Sequence, residues 1–82
     1  MVLDGKVLGI VGGGQLGRMM LPEARLLGLR VAVYTPSADD PAASGADELV
    51  LGSLDDADGI AGFAAGCDFL TIEIEHIALA GL

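Results

Sequence analysis

Apolar residues come in short blocks divided by turn-forming residues, and the spacing inside each block points to the element it builds. Lys6-Val7-Leu8-Gly9-Ile10-Val11 is nearly continuous apolar sequence running straight into glycines, the pattern of a central parallel strand covered on both faces. From Leu16 to Leu27 the positions Leu16, Met19, Met20, Ala24 and Leu27 follow three- and four-residue steps, giving one apolar helix face. Gly28 stands where a left-handed C-terminal cap belongs. Pro22 interrupts the stretch; an internal proline costs a helix about 3 kcal/mol, so a kink or a late start is expected.

Arg30-Val31-Ala32-Val33-Tyr34 reads as a second strand, and Thr35 to Pro41 as turn chemistry rich in Pro, Ser and Asp. A helical turn is expected over 42–47 and a brief third strand at Glu48-Leu49-Val50-Leu51, closed by Gly52. Ser53 is the expected N-terminal cap of a second helix reaching about Ala65, with Asp55, Asp56 and Asp58 at its positive end. Gly59 and Gly62 weaken that helix by about 1 kcal/mol each relative to alanine. Asp68-Phe69-Leu70-Thr71-Ile72 supplies a fourth strand, with Glu73-Ile74-Glu75-His76 at its carboxyl end. Residues 77–82 read as the first turn of an element that is cut off.

This succession predicts an α/β fold: a Rossmann-like parallel sheet of about four strands with flanking helices, truncated, in one domain over residues 1–82. Right-handed crossovers put the loops after the first and fourth strands on one edge, and a 3-2-1-4 strand order would make them neighbours. Composition narrows what such a sheet can hold. Four Lys and Arg against twelve Asp and Glu give a net charge of −8, which argues against nucleic acid as a partner, since that affinity rests on clustered cations. The 52% apolar share fits a chain that buries a core, although 82 residues bury only about 60–65% of their unfolded surface and make a marginal domain alone. Cys67 is the single cysteine and reads as a small buried thiol; no Cys/His cluster has metal-ligand spacing. No apolar run reaches the roughly 18 residues of a membrane span and no signal-peptide pattern opens the chain, so a cytoplasmic protein without membrane contact is expected.

Gly12-Gly13-Gly14-Gln15-Leu16-Gly17 matches G-x-G-x-x-G directly between a predicted strand and a predicted helix. Glycines let the backbone approach a ligand, and amides at the helix start favour an anion such as phosphate; the same pattern also serves as a tight turn holding nothing. A dinucleotide site wants an acid at the end of the second strand, whereas here the strand end reads Val33-Tyr34-Thr35-Pro36, with Asp39 and Asp40 several residues late. They could swing back, but the simpler inference is a ligand other than NAD. Glu73 and Glu75 form an E-x-E pair that is costly to bury and suits a strand end facing water, a sugar hydroxyl or an amine. His76 reads as a hydrogen-bonded loop residue, and Arg18 either as an anion contact or as a surface helix residue.

Gly12-Gly13-Gly14-Gln15-Leu16-Gly17-Arg18-Met19 resembles the opening signature of the ATP-grasp carboxylating enzymes of purine synthesis, the phosphoribosylaminoimidazole carboxylase ATPase subunit and N5-carboxyaminoimidazole ribonucleotide synthetase family. Cys67-Asp68-Phe69-Leu70-Thr71-Ile72-Glu73-Ile74-Glu75-His76 resembles that family's second signature, and Asp40-Pro41-Ala42 and Gly52-Ser53 fit its spacing. The resemblance implies a preATP-grasp domain at the N-terminus of a longer chain that uses ATP and bicarbonate to carboxylate 5-aminoimidazole ribonucleotide. It also implies that Gly14, Gln15, Leu16, Glu73 and Glu75 line the ribonucleotide site, a placement supported by the similar segments of glycinamide ribonucleotide formyltransferase. ATP and Mg2+ are then expected mainly on later ATP-grasp domains of the parent chain, which itself is expected to form a homodimer, and the 82 residues alone are expected to be inactive. The other readings are a stand-alone nucleotide-binding or interaction module without catalysis, and a dinucleotide-dependent oxidoreductase fragment.

Overall fold

The computed structural model describes residues 3–72. Four strands, β1 (Val7–Val11), β2 (Arg30–Thr35), β3 (Glu48–Leu51) and β4 (Phe69–Ile72), form one parallel sheet in the order β3-β2-β1-β4. Helix α1 (Gln15–Leu26) connects β1 to β2, a single 3-10 turn (Ala43–Gly45) lies between β2 and β3, and α2 (Ala57–Ala65) connects β3 to β4. This is the strand order under which the loops after β1 and β4 are neighbours. The central pair β1 and β2 carries the apolar runs, as a strand with neighbours on both sides must.

Residues paired across a parallel ladder share a face, so the registers Leu8 with Val31 and Ile10 with Val33 build one apolar surface. Leu21 and Ala24 of α1 close over it together with Leu29 and Ala42, and Ile10, Val31 and Val33 are fully buried. Helix α1 ends as its sequence predicts. Gly28 takes a φ of 82° and donates to the Arg25 carbonyl at 3.0 Å, while Leu29 donates to the Ala24 carbonyl at 3.0 Å. These two bonds form a Schellman cap, and its usual apolar contact is present because Leu29 and Ala24 are both core residues.

Two expectations about the helices are corrected. Helix α1 starts at Gln15 and runs through Pro22, so no late start occurs. Pro22 cannot donate to the Arg18 carbonyl, but both residues lie on the solvent side, where water can take that carbonyl's place as a partner. Helix α2 is capped by Asp56 rather than Ser53: the Asp56 carboxylate accepts from the Gly59 amide at 3.0 Å. Ser53 instead accepts from the Asp55 amide at 3.1 Å, using its hydroxyl one turn too early to cap the helix.

The edge strands are fastened by a repeated device. Asp68, just ahead of β4, donates its amide to the Val7 carbonyl at 2.9 Å and accepts the Val7 amide on its carboxylate at 2.8 Å. Asp47, just ahead of β3, does the same to Val31 of β2, with both bonds at 2.8 Å.

Candidate functional site

The glycine loop leaves β1 at the carboxyl edge of the sheet, and the β1–β4 register brings Val11 opposite Ile72. Neighbouring parallel strands lie about 4.8 Å apart, so the chain enters the loop at Gly12 beside the strand end that leads to Glu73. Glu73, Glu75 and His76 themselves lie outside the described residues. Gly14, Gln15 and Leu16 are described, and they sit together at the start of α1.

The glycines of the loop do different work. Gly12 turns the chain with a φ of 108° and donates its amide to the Tyr34 carbonyl at 2.8 Å. Gly13 is packed so tightly that a β-carbon there would lie 2.6 Å from Thr35 Oγ1 and 2.7 Å from Asp40 Cβ. Its carbonyl accepts from the Ala42 amide at 2.8 Å. Gly17 is buried under α1 against Ile10 and Ala42. Gly14 is the N-cap of α1 and caps it with no side chain; there is no acid in the first turn. The amides of Gln15, Leu16 and Gly17 therefore open the helix without intrahelical acceptors, the arrangement that favours an anionic group. Gln15 and Leu16 are exposed, as is Arg18 one residue past the last loop glycine.

Asp40 does swing back to the end of β2, where it accepts a hydrogen bond from the buried Thr35 hydroxyl. Thr35 and Asp40 fill the space beside Gly13. The sequence reading did not single out this pair as loop anchors, because a threonine and an aspartate five residues apart in a turn carry no periodicity. The one signal available was a strand ending on a hydroxyl residue followed by a turn-forming Asp.

Cys67 is half-buried, and its thiol donates to the Phe63 carbonyl at 3.4 Å. Burial, and then the charges of Glu48 and Asp68, push the thiol above its ordinary value of 9.0, which makes it a poor nucleophile. Among the described residues no three His, Cys, Asp or Glu side chains converge where they could hold a metal ion, and no helix is long and apolar enough to cross a membrane.

Comparison with known proteins gives the family of the chain. The family profile of the ribonucleotide synthetase preATP-grasp domain matches residues 5–82. The chain belongs to that family. As a preATP-grasp chain, it is 44% identical over 75 residues to the N5-carboxyaminoimidazole ribonucleotide synthase of Synechocystis, covering 92% of this chain and 19% of the relative. It is 42% identical over 71 residues to the chloroplastic phosphoribosylaminoimidazole carboxylase of Vigna aconitifolia, covering 87% of this chain and 13% of the relative. A crystal structure of an N5-carboxyaminoimidazole ribonucleotide synthetase in complex with ADP superposes with a TM-score of 0.80 at 44% identity, over 87% of this chain and 19% of that one. The preATP-grasp chain thus spans about one fifth or less of the length of these relatives, and the Rossmann-like fold read from the sequence is the fold they share with it.

Proposed function

We propose that these residues form the N-terminal preATP-grasp part of an ATP-dependent carboxylase acting on 5-aminoimidazole ribonucleotide, and that they hold the ribonucleotide. The single observation that supports this most is the pairing of Val11 with Ile72, which sets the glycine loop beside the strand end carrying Glu73. In this reading the open amides of Gln15 and Leu16 at the Gly14 cap face an anionic or hydroxylated part of the ligand. Glu73 accepts from a hydroxyl or the amine, and Glu75 is a weaker candidate for the same role. The task of this unit is to orient the acceptor amine, since holding two reactants in register is itself a large part of a group-transfer rate.

The described residues do not fit an ATP–magnesium site. No metal-ligating trio converges, and of the four cations Arg25 is already engaged with the Gly45 carbonyl. No step through ATP is therefore assigned to them; in the proposed enzyme ATP and Mg2+ belong to ATP-grasp domains of a longer chain. That enzyme is cytoplasmic and pairs as a homodimer in the same reading.

The test is binding of aminoimidazole ribonucleotide to a full-length synthetase whose N-terminal segment is this sequence. Glu73→Ala is expected to weaken binding at least about tenfold, or about 1.4 kcal/mol; unchanged affinity would remove Glu73 from the site. NADH titrated to micromolar levels is expected to give no saturable signal, and saturation would favour the dinucleotide reading instead.

A further inference from the structure

Thr35 and Asp40 are unused by the reading above, yet the densest contacts of the glycine loop converge on them. Thr35 is a buried polar residue at the carboxyl end of β2, and its hydroxyl donates to the Asp40 carboxylate. The Asp40 amide is itself held by the Ser37 carbonyl at 3.2 Å, so the carboxylate is presented by a closed turn rather than by a free side chain. Gly13 lies against both partners, with room for nothing larger than hydrogen. Two main-chain bonds hold the loop, Gly12 to the Tyr34 carbonyl in β2 and Ala42, just ahead of the 3-10 turn, to the Gly13 carbonyl.

We propose that Thr35 and Asp40 are positioning residues: their hydrogen-bonded pair closes the β2 side of the glycine loop and fixes the α1 amides that face the ligand. The inference rests on the ribonucleotide reading and adds to it the residues that hold the loop in place. Asp40 and Thr35 fill the β2 side of the loop, and β4 is the neighbour of β1 on its other side. Losing the Thr35 hydroxyl leaves the Asp40 carboxylate without the donor that orients it beside Gly13, and the loop amides lose their fixed aim. A hydrogen bond to a charged group is strong enough for that loss to register in affinity.

Steady-state kinetics of a full-length synthetase carrying this sequence test the pair. Thr35→Val and Asp40→Ala are each expected to raise KM for aminoimidazole ribonucleotide about tenfold while KM for ATP and kcat hold, and Thr35→Ser is expected to restore the original KM. An unchanged ribonucleotide KM in both variants would overturn the pair's positioning role. So would a loss in which kcat and both KM values move in step with a fallen Tm, since that is the mark of a folding element. If the unsubstituted enzyme fails to saturate with aminoimidazole ribonucleotide, the ribonucleotide reading falls first, and it takes the positioning role with it.

Discussion

The two helices of this small sheet are a contrast in what an apolar sequence achieves. Helix α1 is amphipathic and buries Gly17, Leu21 and Ala24 against β1 and β2. Helix α2, though made almost wholly of Ala, Gly, Ile and Phe, has no residue that counts as buried. The strands divide the same way: β2 is buried from Val31 to Thr35, whereas β3 is exposed along its whole length and β4 along most of it. What separates the regions is the covering layer: α1 lays Leu21 and Ala24 over the centre, whereas the small residues of α2 remove little area from water, so even Leu51, Phe69 and Leu70 stay exposed. Tyr34 supplies much of the α2 side's packing, with its ring 5.5 Å from Phe63 and its hydroxyl donating to the Ser53 carbonyl at 2.8 Å.

The contrast is broken most directly by truncating one residue from each region and measuring denaturant unfolding. Ile10→Ala, in the buried centre, is expected to cost about 2–5 kcal/mol. Leu70→Ala, at a position already 42% exposed, is expected to cost about 1 kcal/mol or less; equal losses would mean that the periphery is as tightly built as the centre. Glycines sharpen the same point. Gly13→Ala forces a β-carbon against Thr35 and Asp40 and is expected to destabilise by about 1–3 kcal/mol. Gly62→Ala in α2, where nothing lies within 4 Å, is expected to stabilise by about 1 kcal/mol through helix propensity alone.

The smallest effect is a pH dependence on the α2 side. Burial, and then the charge of Asp56, raise the Tyr34 phenol above 10.0. A folded-state value above the unfolded one means that the contribution is complete below pH 10 and is lost as pH rises through the folded value. Stability is expected to decline above pH 10 in the parent chain and to stay flatter there in Tyr34→Phe. Cys67 gives a decline of the same sign starting from its own ordinary value of 9.0, so the comparison is made in a Cys67→Ala background.

The sequence of elements and the Gly28 cap were both legible because each rests on a pattern local enough to read: apolar runs, three- and four-residue spacing, a glycine after the last turn. The misreadings share a different cause. Ser53 and Asp56 are both good capping residues, and only the three-dimensional path of the chain chooses between them. Pro22 is tolerated because it falls on the outer side of α1, which a one-dimensional penalty does not register. Within the site, the loop and its place beside the β4 strand end were readable, whereas Thr35 and Asp40 gain their meaning from contact with Gly13, a residue more than twenty positions earlier.

The matching aspartates ahead of β3 and β4 imply a modular way of growing a sheet outward. Each fixes the start of an incoming strand with one amide bond and one carboxylate bond to a single residue of the neighbouring strand. A lateral strand attached in this manner can change its apolar residues widely and still start in register, as long as the carboxylate precedes it by one position.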